Sequence, residues 1–193
     1  MSEEEKYIQK IVDGIEYLDS DLKKLIYRLI DERNYLANIV NIDPLTGLYN
    51  RRILERIREC KIALICDIDD FKTINDTYGH DVGDYVIKGI STVLRNNTRI
   101  NDYVCRLGGD EFFIGFTGCD YDFIYDRCEK IKKEINDGIK LPNHKVTISI
   151  GCAFNKDNES LETLMKKADE ALYESKNSGK NQFTFYDEKK LKI

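Results

Sequence analysis

Between Arg51 and Tyr186 the spacing of apolar residues switches repeatedly between a strand period and a helix period, and this alternation constrains the fold more than any other feature of the chain. Arg51 to Cys60 reads as a short helix capped by Asn50. Ile62 to Cys66 is an unbroken apolar run, as in a strand buried on both faces. Tyr85 to Leu94 carries Val86, Ile90 and Val93 at helical spacing. Tyr103–Leu107 and Glu111–Phe116 flank Gly108-Gly109, a hairpin signal. Ile124, Cys128, Ile131 and Ile135 mark a further helix, and Val146, Ile148, Ile150 and Cys152 alternate as a half-buried strand. Leu161, Leu164, Met165, Ala168 and Leu172 give a last helix closed by Gly179, and Gln182 to Tyr186 suits an edge strand. The order βαββαβ predicts an α+β, ferredoxin-like sheet.

Ahead of that domain, residues 6–40 read as one long helix. Ile8, Ile11, Ile15, Leu18, Leu22, Leu25, Leu29, Leu36 and Ile39 alternate three and four apart, a heptad seam broken only at Glu32. So narrow a seam suits a two-stranded coiled coil and therefore a homodimer, the alternative being a helix folded back on its own domain. Pro44 disfavours helical geometry at Asp43 and ends the segment. The expected organisation is an N-terminal dimerisation helix over 1–42 and a catalytic domain over 43–193.

Composition excludes several classes. With 193 residues and 41% hydrophobic content the chain can bury one core. A net charge of −5 argues against a nucleic-acid polymer as partner, because phosphate backbones attract basic faces. No stretch approaches the ~20 apolar residues of a membrane span, and no signal-peptide apolar region follows Met1. Cys60, Cys66, Cys105, Cys119, Cys128 and Cys152 are scattered singly, which suits reduced, buried thiols in a cytoplasmic protein better than a disulfide or metal framework.

Acids mark where chemistry could occur. Asp67, Asp69 and Asp70 follow the first strand directly, and Asp110 and Glu111 sit on the hairpin turn. Carboxylates at the end of a buried strand are costly unless solvated or bound to a cation. In a ferredoxin-like sheet that strand and hairpin are neighbours, so their acids can share one magnesium completed by substrate phosphates. Spacing alone leaves this reading level with plain turn-forming acids.

The letters add a resemblance. Arg106-Leu107-Gly108-Gly109-Asp110-Glu111-Phe112 resembles the signature of the GGDEF family, the diguanylate cyclases. Asp43 to Arg52 (DPLTGLYNRR) resembles that family's opening segment, and Asp67 to Asp84 (DIDDFKTINDTYGHDVGD) its substrate-binding stretch. Ala168 to Tyr173 (ADEALY) and Lys176 to Asn181 (KNSGKN) resemble its closing helix and loop, so the matches run in family order over residues 43 to about 185. The resemblance implies a palm-type catalytic domain in which Asp67, the Ile68 carbonyl and Asp110 hold Mg2+ (or Mn2+), with Glu111 supporting the metal or the attacking hydroxyl. Asn75 and Asp84 are then the guanine readers, because a carboxylate accepts from the N1–H and amino edge of guanine and meets an acceptor on adenine. Phe71, Gly108 and Gly109 also fall in the substrate site, and Lys72, Lys176 and Lys180 hold phosphates. Singly, each lysine reads as a solvated surface charge. The family more often has arginine where Lys180 stands, and lysine keeps the charge without the bidentate geometry.

The resemblance implies condensation of two GTP into cyclic di-GMP, with two domains facing each other and two pyrophosphates released. It also gives a place to Arg99-Ile100-Asn101-Asp102, an RxxD at the position of an inhibitory product site, with Lys130 or Arg127 as further cations; a solvated turn is the alternative. The competing functions are a non-catalytic receptor for GTP or the product, which would show damaged signature residues, and a cyclase with mixed purine products, which Asp84 opposes.

Overall fold

The structure is a computed structural model that describes residues 6, 9–10, 14, 19–118, 121–156 and 158–186. The seam positions Ile8, Ile11, Ile15 and Leu18, the side chains of Leu36 and Ile39, and Cys119 lie outside the described residues. The chain divides into two units, Met1–Val40 and Asn41–Ile193.

The single helix expected over 6–40 is corrected at Asp19. That residue is not helical, its carbonyl accepts from the Lys23 amide at 3.0 Å, and its carboxylate accepts from the amides of Asp21 and Leu22, both at 3.0 Å. Aspartate competes for backbone donors in this way, so it caps the helix that follows. The helix it opens, α1, spans Ser20–Asn41. On it Leu22, Leu25 and Leu29 stand exposed at 41%, 52% and 56%. No helix among the described residues is long and apolar enough to cross a membrane.

In the second unit the elements follow the expected order with additions. β1 (Tyr49–Asn50) leads into a 3-10 turn over Arg51–Arg56, shorter and tighter than the helix expected to Cys60, with the Asn50 side chain accepting from the Arg52 amide at 2.9 Å. Then come β2 (Ile62–Ile68), α2 (Phe71–Tyr78), α3 (His80–Asn96), β3 (Tyr103–Gly108), β4 (Glu111–Phe116) and α4 (Tyr121–Gly138). A two-stranded ribbon, β5 (Lys140–Leu141) and β6 (His144–Lys145), precedes β7 (Ile148–Phe154), α5 (Leu161–Asn177) and β8 (Phe183–Phe185). Helix α2 and the β5–β6 ribbon had no periodic signal, because each is too short to show one.

The main sheet has the order β1-β3-β4-β2-β7-β8. Its inner four strands, β3-β4-β2-β7, each run antiparallel to their neighbours and reproduce the ferredoxin-like arrangement, with β1 and β8 added in parallel at the two edges. β2 lies between β4 and β7 and is buried at every residue, which is why its sequence is continuously apolar. Alternate residues serve two cores. Ile62, Leu64, Cys66 and Ile68 pack with Ile74, Val86 and Ile90 of α2 and α3 and with Ile131 of α4, while Ala63 and Ile65 pack with Leu164, Ala168 and Leu172 of α5.

Helix α5 lies directly on β7. A Cβ on Gly151 would fall inside the α5 backbone at Ala168 and Leu172, 2.8 Å from the Leu172 Cα, and backbone cannot rotate away as a side chain can. Gly151→Ala is therefore expected to cost about 3 kcal/mol. For a domain of this size that lowers Tm by roughly 6–12 °C, measurable by thermal denaturation. A shift under about 2 °C would show that α5 can lift off the sheet freely.

The thiols behave as expected. Cys60, Cys66, Cys105, Cys128 and Cys152 are free and buried. Burial pushes the Cys105 thiol up to about 12 and raises those of Cys66 and Cys152 as well, so they act as small apolar groups.

Candidate active site

Strand register brings the two acidic segments together. On the antiparallel pair β2–β4, Asp67 lies directly opposite Glu111, and the Ile68 amide donates to the Asp110 carbonyl at 3.3 Å. Opposed residues of such a pair point to the same side of the sheet, so Asp67 and Glu111 share the side that carries α5. The hairpin holds Asp110 at its tip, since Gly108 pairs with Glu111 and only Gly109 and Asp110 stand between them. Gly109 takes φ +54, a left-handed conformation that suits glycine, and the Arg106 guanidinium donates twice to its carbonyl at 2.9 and 2.7 Å. The same guanidinium pairs with Asp43 at 3.4 Å, joining the opening segment to the hairpin.

The electrostatics call for a cation. Asp67 is only 8% exposed, and its carboxyl is raised from the ordinary range, chiefly by burial and further by the charges of Asp110 and Glu111, against the lowering effect of Lys176. The Lys176 ammonium stands 2.8 Å from the Asp67 carboxylate, where it relieves part of that charge. No three His, Cys, Asp or Glu side chains converge as a closed metal cage among the described residues. The carboxylates of Asp67 and Asp110 and the Ile68 carbonyl are hard oxygen donors at one sheet end, the donor type that magnesium takes, and other ligands would have to complete its shell.

The second strand-end acid, Asp69, has a different task from the one suggested by its position. Asp69 is 4% exposed and accepts from the Thr147 and Ser149 hydroxyls, both at 2.6 Å, and from the Asn181 amide at 2.9 Å. It clamps the 178–181 loop to the sheet end. That loop carries Lys180, whose ammonium sits 2.6 Å from Asp70 and is raised above its ordinary value mainly by that hydrogen bond. Both lysines expected to meet phosphate, Lys176 and Lys180, thus rest on carboxylates of the same site. Lys72 stands exposed in the first turn of α2.

Of the two residues expected to read guanine, Asn75 lies against Gly83, the glycine that precedes the other, Asp84. Asn75 lies on α2 and Asp84 on α3, the helices being joined at Gly79 with φ +87. A Cβ on Gly83 would overlap the Asn75 carboxamide oxygen and lie 3.3 Å from the Phe71 ring. Because that oxygen is the mobile end of a side chain, Gly83→Ala is expected to fold normally while displacing Asn75. If Asn75 reads guanine as the family resemblance implies, the loss of one directed hydrogen bond should raise the KM for GTP about tenfold with little change in Tm. An unchanged KM would remove Asn75 from the site.

A cleft of about 650 Å³ adjoins Glu111 on the α5 side, with Leu54, Ile65, Leu107 and Met165 in its lining. It includes neither Asn75 nor Asp84.

Away from this site, Arg99 and Asp102 form a tight turn before β3. The Arg99 amide donates to the Asp102 carboxylate at 2.9 Å, and the Asp102 amide to the Arg99 carbonyl at 3.0 Å. Of the two cations considered for completing this turn, Arg127 approaches it, sharing the Phe123 ring with Arg99, whereas Lys130 pairs with Glu134 at 3.6 Å.

Comparison with known proteins gives this geometry a family. Residues 40–182 match the family model described as "Diguanylate cyclase, GGDEF domain". Diguanylate cyclase DosC of Escherichia coli K12 is 37% identical over 158 residues, covering 74% of this chain and 34% of its own length. Diguanylate cyclase A of Treponema denticola is 39% identical over 134 residues, 66% of this chain and 35% of that protein. The chain thus spans about a third of the length of these curated relatives. Among solved structures, the coiled coil and GGDEF domain of DgcB from Caulobacter crescentus in complex with c-di-GMP superposes with a TM-score of 0.73 at 30% identity, covering 86% of this chain and 96% of that one. Diguanylate cyclase SiaD of Pseudomonas aeruginosa, solved with its activator SiaC, gives 0.75 at 27%, covering 94% and 75%. The sheet with its helices is the palm-like α+β fold of these domains, and the chain belongs to the GGDEF family.

Proposed function

We propose that this chain is a diguanylate cyclase that condenses two GTP into cyclic di-GMP. The observation that carries the reading is the register of β2 against β4, which sets Asp67, Ile68, Asp110 and Glu111 at one sheet end within reach of Lys176. Asp67, the Ile68 carbonyl and Asp110 would hold a divalent cation, Mg2+ or Mn2+, which when bound would supply Lewis-acid stabilisation of the charge that develops at the α-phosphate. Asp84 and Asn75 receive the guanine edge, and Phe71 backs Asn75. Lys72, Lys176 and Lys180 neutralise phosphates, Lys176 and Lys180 exchanging their present carboxylate partners for phosphate oxygens. Gly108 and Gly109 leave the hairpin backbone open to close approach, and Glu111 orients the attacking hydroxyl beside Asp67.

In each half-reaction the 3′-oxygen of one GTP forms a bond to the α-phosphorus of the other, the bond to pyrophosphate breaks, and the hydroxyl proton leaves. The second half-reaction repeats this in reverse roles and closes the ring. Holding two nucleotides in line accounts for much of the rate, which requires two domains face to face. The exposed leucines of α1 support a homodimer through that helix, and the GGDEF structure from Caulobacter includes a coiled coil. Intact acids at positions 67 and 110 weigh against a non-catalytic receptor. The Arg99–Asp102 turn, with Arg127 beside it, is read as a site where the product slows the enzyme.

Incubating the purified chain with GTP and MgCl2 and separating the nucleotides tests this. Cyclic di-GMP and pyrophosphate in a 1:2 ratio are expected from the reaction stoichiometry. A dimeric protein that leaves GTP intact would overturn the reading.

A further inference from the structure

Two positively charged groups meet at one ring beside the RxxD turn. The Arg99 guanidinium carbon lies 5.0 Å from the centroid of the Phe123 ring, and that of Arg127, on α4, lies 4.7 Å from the same centroid. Among the described residues neither guanidinium is paired with a carboxylate. Asp102 makes no ion pair with the Arg99 guanidinium; its oxygens accept backbone amides, from Arg99 at 2.9 Å and Thr117 at 3.3 Å. Arg127 is steered by a neutral contact, donating to the Asn97 carboxamide oxygen at 3.3 Å. Asn97 is itself buried and held by Glu134 at 2.6 Å.

Like charges placed together repel, and in water two free arginines would disperse. The negative face of an aromatic ring offsets that repulsion. We propose that Phe123 is the positioning residue of an anion site formed by Arg99, Asp102 and Arg127, keeping both guanidinium groups on one ring, ready for a doubly anionic cyclic dinucleotide. This inference rests on the reading of the RxxD turn as a product site. Stacking uses the face of a guanidinium and leaves its N–H edges free in the ring plane, where phosphate and purine acceptors bind bidentately. The ring therefore stays in place when ligand binds, and removing it costs affinity because the arginines must then be ordered by the ligand itself. Phe123 also packs on the main core beside Phe116, so a replacement of similar bulk is needed to keep that packing.

The test is calorimetric titration of the full chain with cyclic di-GMP, using the parent, R99A, F123L and F123W, each checked by its Tm. F123L should bind about 3- to 30-fold more weakly than the parent, the range expected for losing two such cation–ring contacts, and F123W should restore parental affinity. Should F123L unfold, F123M carries the same comparison. A parent that does not bind, or an R99A variant that binds as tightly as the parent, removes the product-site reading and the role of Phe123 with it. If R99A is weakened while F123L is not, or if F123L and F123W are weakened equally, the site stands and the positioning role of the ring is overturned.

Discussion

Asp67→Asn and Asp110→Asn are each expected to lower turnover by about 10²- to 10⁴-fold at ordinary magnesium concentrations, the range that several kcal/mol of charge stabilisation represents. An amide is nearly isosteric with a carboxylate but carries no charge for a divalent cation. The two variants should differ in stability. Asp67 is buried, and its carboxyl is raised by that burial and by Asp110 and Glu111. A carboxyl whose folded pKa lies above its unfolded value stabilises the fold below the unfolded pKa, and that contribution is lost as pH rises through the folded pKa. At neutral pH the ionised Asp67 is therefore a cost, only partly relieved by Lys176, and Asp67→Asn should leave Tm unchanged or higher. The expected signature is an inactive protein that is no less stable, as for a residue kept for function at the expense of the fold. Stopped assays of cyclic di-GMP beside thermal melts measure both. Near-parental turnover by either variant would dismiss the metal assignment. A lower Tm for Asp67→Asn would mean that its ion pair with Lys176 outweighs the burial.

Asp84→Ser should collapse the preference for GTP over ATP. Asp84 stands exposed at the start of α3, next to the glycine against which Asn75 rests. On the proposed reading its carboxylate would accept the N1–H and amino donors of guanine, and the acceptor at N1 of adenine would face it with like polarity. Sites that pair a substrate's polar edge can reject the mismatched analogue by about 10⁴-fold, far beyond what shape supplies. A serine hydroxyl can donate as well as accept, so it tolerates either base. The ratio of kcat/KM for GTP to that for ATP is expected to fall to within about tenfold of unity, mostly through loss on the GTP side. A ratio equal to that of the parent would place base recognition elsewhere.

The α+β class, the central strand and the hairpin were legible in the sequence, and so were the acids that the proposed reaction would use. These are legible because they are local: β2 is continuously apolar since it is buried on both faces, and Gly109 announces a backbone that few other residues adopt. The signature acids could be named without coordinates because motif letters travel with their chemistry. Tertiary structure alone decided how the charges are shared. Asp67, Asp69 and Asp70 look alike in sequence, yet the first pairs with Lys176, the second accepts from Thr147, Ser149 and Asn181, and the third holds Lys180. Partners so far along the chain leave no periodic trace. The same holds for Gly151, whose need arises from the backbone of α5 pressed on β7, and for Arg127, drawn to Arg99 by a ring on α4. At Asp19 a local rule was present but masked. The heptad letters run across a capping residue, and the backbone donors it satisfies begin a helix at Ser20. Periodicity reports which face a residue would occupy, whereas a cap or a buried charge is settled by whichever donor or counter-charge lies nearest in three dimensions.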